Sequence, residues 1–102
     1  MSQAAQENWE SRLLGRLLAV RRYPPEAAAR DQQGIADVRV TIAADGQVVR
    51  ASLVKSSGYP VLDTEALAWI RRASPLPPPP GAAPVTLVVP LRFHIDDADD
   101  PA

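Results

Sequence analysis

The last third of the chain carries the feature that most narrows its possible folds. Val85, Leu87, Val89, Leu91, Phe93 and Ile95 are all apolar and odd-numbered, and Thr86, Val88, Pro90, Arg92 and His94 lie between them. Strand side chains alternate between two faces, so this period of two predicts one long strand over 85–95 with a single buried face. Pro90 sits in its middle. Proline has no amide hydrogen to give a ladder, which places the strand at the edge of a sheet. In an antiparallel strand the N–H and C=O of one residue point the same way, and those of its neighbours the opposite way. With the missing donor of Pro90 facing outward, the odd residues bond to the sheet. Val88 and Arg92 then offer complete donor–acceptor pairs to the open edge, and Pro90 offers its carbonyl alone. Such an edge has two readings: a proline, arginine and histidine guard against aggregation, or a site where an extended peptide adds as a further strand.

The remaining elements read in order. Trp9, Leu13 and Leu17 recur at i, i+4 and i+8, with Leu14 and Leu18 widening the stripe, so an amphipathic helix is expected over 7–22. Pro24 and Pro25 end it, and a short helical turn over 25–30 follows. Val38, Val40 and Ile42 alternate with Asp37, Arg39 and Thr41 as a half-buried strand. Asp45-Gly46 is a hairpin signal, since both residues tolerate positive φ. The returning strand, 48–55, has Val49, Ala51 and Leu53 on one face and Val48 and Val54 on the other, which suggests a bulge. A second helix over 60–73 begins at a proline suited to a first turn and buries Leu62, Ala66, Leu67 and Ile70. Of the chain's 11 prolines, five fall between Pro75 and Pro80, a stiff crossover within the fold.

Composition excludes more than it assigns. The chain has 102 residues, 23% of them charged, with a formal net charge of -1. That length suits one domain, and that charge does not suit a nucleic-acid surface. Cysteine is absent, so disulfides and thiolate metal sites are not expected, and His94 has no second histidine to share a metal. No stretch approaches the length of a membrane span. The first residues lack the basic and apolar segments of a signal peptide, so an extracytoplasmic protein would be expected to carry this chain as one domain of something longer. Asp63 and Glu65 lie two apart on a helix and do not face each other, which favours a helix-start role over acid–base chemistry. Ser56-Ser57-Gly58 reads as a turn, because the single histidine completes no triad. Arg12, Arg16, Arg21 and Arg22 form a basic strip, either a solvated face or a dock for an acidic partner or peptidoglycan.

Read together, these blocks resemble the C-terminal domain of the TonB family of energy transducers. The resemblance runs from Tyr23-Pro24-Pro25-Glu26-Ala27, with Gly34 eleven residues after Tyr23, through Asp45-Gly46-Gln47-Val48 and Val54-Lys55-Ser56-Ser57-Gly58. It continues in Leu62-Asp63-Thr64-Glu65-Ala66-Leu67 and Val89-Pro90-Leu91-Arg92-Phe93, and so covers about residues 23–95 in the family's order. It implies a periplasmic domain of a protein anchored in the inner membrane, which carries energy from a proton channel complex there to outer-membrane transporters. It further implies that the last strand pairs with a short transporter segment, the TonB box. Two stretches depart from the best-known members: Val20-Arg21-Arg22 stands where they carry a Gln-Pro pair, and 69–75 lacks their Trp-Arg-aromatic-Glu-Pro sequence. These departures suggest a divergent paralogue, such as one dedicated to a haem transporter.

The expected architecture is therefore α+β: a three-stranded antiparallel sheet of order 2-1-3 with two helices on one face. It spans 7–95, between a disordered N-terminal segment, 1–6, and a disordered acidic tail, 96–102. The expected partner-binding residues are Tyr23, Arg22, Thr86, Val88, Pro90, Arg92 and His94. No catalytic, metal or cofactor site is expected, and neither nucleic acid nor a small-molecule substrate. A rival reading is a TolA-like periplasmic scaffold that binds a folded protein partner.

Overall fold

Alternation in the first strand sorts the whole molecule. The computed structural model describes residues 3–81 and 83–95, with backbone alone for 3–6. Its elements are α1 (Gln3–Ala19), α2 (Pro25–Ala29), β1 (Gly34–Ile42), β2 (Val48–Lys55), α3 (Pro60–Ala73) and β3 (Val85–Phe93). The sheet is antiparallel with the order β2-β1-β3, as the sequence predicts. Ala36, Val38, Val40 and Ile42 of β1 are buried to within 1% of full exclusion. They face Leu91, Val89, Leu87 and Val85 of β3 in one unbroken register. Against β2 the register slips between Asp37 and Val38 and again between Thr41 and Ile42, so the suspected bulge is present. Burial is uneven along β2. Val49 and Leu53, expected on one face with Ala51, are exposed, and Val49 falls at the second slip, where it has no partner in β1.

Strand β3 stops at Phe93, two residues short of the predicted 95. It runs out of partner: Phe93 pairs with Gly34, the first residue of β1, and Ile95 gives its N–H to the Gln33 side chain at 2.8 Å instead. Helix α1 runs over 3–19, whereas 7–22 is expected. Ala4, Ala5 and Gln6 are good helix formers and extend it at the front. At the back, Val20 and Arg21 bond to Leu17 and Leu18 in tight i→i−3 turns, and the chain then leaves the helix toward Pro24. Residues 1–2 of the expected N-terminal segment, and all of the acidic tail 96–102, lie outside the described residues. Among the described residues no helix is long and apolar enough to cross a membrane.

Trp9, Leu13 and Leu17 are buried with Trp69 and Phe93 in the same core. Burying each such side chain is worth about 1.5–3 kcal/mol, so α1 belongs to the body of the domain. Leu14 and Leu18 are not part of that stripe: they stand 58% and 49% exposed. Each follows a core residue by one position, about 100° around the helix, and so flanks the buried face. Four long-range bonds hold α1 in place. Trp9 Nε1 donates to Pro77 O at 2.7 Å, and Trp69 Nε1 to Leu17 O at 2.7 Å. Arg16 Nε donates to Ala73 O at 3.0 Å, and Arg72 Nε to Val20 O at 2.9 Å. The two helices thus bond to carbonyls at each other's C-terminal ends, where intrahelical partners run out. Part of the basic strip is thereby structural, since Arg16 caps α3.

The proline-rich crossover is packed onto the sheet's end. Leu76 is buried, and its N–H bonds to Gly46 O at 2.8 Å. Val48 N–H reaches Ser74 Oγ at 3.2 Å. Gly46 has φ +97°, and a Cβ there would lie 2.0 Å from Leu76 O. Asp45, beside it, accepts the Gln47 N–H at 3.0 Å and closes the turn.

At the start of α3 no side chain caps the helix from Tyr59. Asp63 reaches back instead. Its carboxylate accepts the Ser57 N–H at 2.7 Å, the Ser57 hydroxyl at 2.8 Å and the Ser56 hydroxyl. Burial pushes this carboxyl up, but the bonds from Ser56 and Ser57 together outweigh it and leave the group below its ordinary value. Asp63 is a clasp on the turn, and both serine hydroxyls bond to it.

Two outcomes are expected. Gly46→Ala forces both a positive φ and a backbone clash, and should lower the unfolding free energy by about 2 kcal/mol or more in urea titration. Asp63→Asn should destabilise the domain at neutral pH. A lowered folded-state pKa stabilises above the unfolded value, and that share is lost as pH falls below 3.8 and through the folded value. The gap between wild type and variant should therefore narrow on acidification, as read by thermal melts across pH.

Candidate functional site: an open sheet edge beside a groove

β3 is an outer strand of the sheet, with β1 on one side only. Pro90 lies opposite Asp37, and the register runs from Gly34–Phe93 to Ile42–Val85 without a shift. A proline enters such a ladder without losing a bond only in a non-hydrogen-bonded pair, where its nitrogen points away from the partner strand. In that phase the N–H and C=O of Val88 and Arg92 point outward, and the odd residues bond to β1. The main chain from Thr86 to His94 then forms a row of donors and acceptors broken only at Pro90.

The side chains divide between the two faces. Val89, Leu91 and Phe93 turn toward the helices, with Leu91 and Phe93 buried. Thr86, Val88, Pro90 and Arg92 are exposed on the other side. Thr86 Oγ1 lies 3.0 Å from Thr41 Oγ1 across the ladder, and Val88 is 46% exposed. His94, just past the strand, is half-buried.

The segment between α1 and β1 closes on the far end of the same strand. The Tyr23 ring meets Phe93 edge-on, with centroids 5.9 Å apart, and Phe93 in turn meets Trp69 edge-on at 5.6 Å. The Tyr23 hydroxyl donates to Gln32 O. Tyr23, predicted from the sequence as a contact residue, is thus brought against β3, half-buried, with its ring in the structural cluster. Arg22 is exposed on the neighbouring segment.

On the helix side of the edge lies a groove of about 290 Å³. Leu14 and Leu18 of α1 form one wall and Val89 and Leu91 of β3 the other, with Leu17, Trp69, Pro90 and Arg92 also lining it and Arg21 of the segment after α1 beside them. The sequence pattern places Leu14 and Leu18 in a widened apolar stripe, whereas in the fold they form this wall. The signal was available in the spacing: Trp9, Leu13 and Leu17 alone complete a core stripe, and two further leucines one step round the helix exceed what it needs. Their facing β3 was not legible, because that depends on how α1 crosses the sheet.

The chain is thus a small α+β domain whose outer strand, marked by a proline, leaves an edge to which an extended segment can add. The family profile described as "Gram-negative bacterial TonB protein C-terminal" matches residues 19–95, and the chain belongs to this family. It is similar to Protein TonB of Pseudomonas putida, with 34% identity over 92 residues, covering 86% of this chain and 38% of that protein. Protein TonB of Pasteurella multocida (strain Pm70) is 33% identical over 75 residues, covering 74% of this chain and 29% of that protein. The chain thus spans well under half the length of these relatives. Among solved structures, the Helicobacter pylori TonB C-terminal domain (residues 179–285) superposes with a TM-score of 0.76 at 29% identity, covering 92% of this chain and 94% of that one. The C-terminal domain of HasB superposes with a TM-score of 0.60 at 44% identity, covering 89% and 72%.

Proposed function

We propose that this chain is the periplasmic domain of a TonB-like energy transducer, and that it binds the TonB box of outer-membrane transporters by strand addition along β3. The full-length protein, in this reading, is anchored in the inner membrane by a segment preceding this domain and engages a proton channel complex there. It passes proton-motive energy to transporters for siderophore or haem uptake. The domain's part is mechanical: strand pairing transmits a pull, and no bond is made or broken. The observation that carries this reading is the unbroken register across Pro90 at an outer strand, which leaves Val88 and Arg92 with outward-facing donors. Main-chain pairing supplies the affinity. Thr86, Val88, Pro90, Arg92 and His94 contribute side-chain selectivity on one face, and Tyr23 and Arg22 contribute it at the end of the strand.

A more specialised form, a transducer dedicated to a single receptor such as a haem transporter, is supported by one comparison. Identity to the HasB domain is 44%, against 34% and 33% for the two proteins named TonB. The departures at 20–22 and 69–75 point the same way.

The test is an NMR titration of the labelled domain with N-terminal peptides of TonB-dependent transporters. Amide shifts should concentrate over 85–95 and near Tyr23. Val88→Pro removes one outward donor and should weaken binding about tenfold while leaving the spectrum of the free domain folded. If no transporter peptide shifts β3 but a folded periplasmic protein does, a TolA-like scaffold replaces this reading.

A further inference from the structure

Helix α1 lies almost wholly outside the residues that match the family profile, which begins at residue 19. Yet it is held firmly, by three buried side chains and four bonds to the rest of the domain. Its Leu14 and Leu18 are left exposed beside β3. A surface helix without a further role would be expected to place polar residues there.

A strand added to β3 continues the pleat of the sheet, so alternate side chains of the visitor stand on the helix side, about 7 Å apart. Those are the side chains that the groove receives. At about 290 Å³ it lies at the bottom of the roughly 300–1,000 Å³ range of small-molecule pockets, a volume suited to one or two side chains. Its lining is mostly apolar, with four leucines, Val89 and Trp69, and Arg21 is the cationic residue on the helix side.

We propose that α1 is a specificity element. In this role Leu14 and Leu18, with Val89 and Leu91, seat an aliphatic side chain of the segment added to β3. Arg21 favours a carboxylate at the neighbouring position on the same face, two residues along that segment. The occupant is thus an extended acidic–aliphatic peptide read on its helix-facing side, whereas the expected residues Thr86 and Val88 lie on the other face. The proposal rests on strand addition at β3 and adds to it a selector that lies outside the residues matched by the family profile.

The test uses capped seven-residue peptides of alternating β-forming sequence. One carries leucine and aspartate two residues apart. A second replaces that leucine by alanine, and a third shifts both residues by one position onto the opposite face. Binding is followed by β3 amide shifts and by the methyl signals of Leu14 and Leu18, in the wild type and in Leu14→Ser/Leu18→Ser. Both altered positions are exposed, so the variant should fold, and its free spectrum checks this. All three peptides should shift β3 amides. The first should bind about tenfold tighter than the other two and move the leucine methyls. In the double variant that preference should fall to within about twofold. Shifts in β3 with no preference, or with a preference that the double variant keeps, overturn the selector and leave strand addition standing. Absence of β3 shifts with every peptide, transporter-derived ones included, overturns strand addition and the selector with it.

Discussion

Exclusion of one face of β1 from water is the constraint on which the rest depends. Ala36, Val38, Val40 and Ile42 admit essentially no solvent, and that face is covered only if helices lie across it. A one-residue slip would turn all four outward, so the register with β3 is firmly set. With β1 occupied on both sides, β3 has nowhere to lie but at an edge. The availability of that edge follows from the burial of its neighbour.

The helices are positioned by a reciprocal device. Trp69 and Arg72 of α3 satisfy carbonyls at the end of α1, and Arg16 of α1 satisfies the Ala73 carbonyl at the end of α3. Arg72 also pairs with Glu65 at 2.6 Å, which fixes the guanidinium that makes the contact. Buried or half-buried helix ends need partners, and each net hydrogen bond is worth about 0.5–1.5 kcal/mol. Their geometric effect matters more than that sum. It sets α1 along β3 and leaves Leu14 and Leu18 overlooking the edge. The same packing places Tyr23 against Phe93, so the segment after α1 and the end of β3 meet in one place.

Much of this was legible. The strands announced themselves by a period of two, and the Asp45-Gly46 turn by its chemistry. The edge position of β3 followed from Pro90, because a missing donor has few places to go. The site was legible where it is main chain, since the outward phase of Val88 and Arg92 follows from Pro90 by counting. It was illegible where it depends on an angle between elements. Leu14 and Leu18 read as core because hydrophobicity says that a residue wants cover, and not which element supplies it. Arg16 read as surface for the converse reason: its partner, the Ala73 carbonyl, is 57 residues away.

The sequence by itself determined the kind and order of the elements and the edge position of β3, since these rest on local periodicity or, for the edge, on the missing donor of Pro90. Only the tertiary structure decided what stands beside that edge. A groove between α1 and β3 comes from the crossing of two elements that are far apart in the chain. The position of α1 is fixed by a few side-chain-to-carbonyl bonds with α3 and the crossover, which leave no periodic trace.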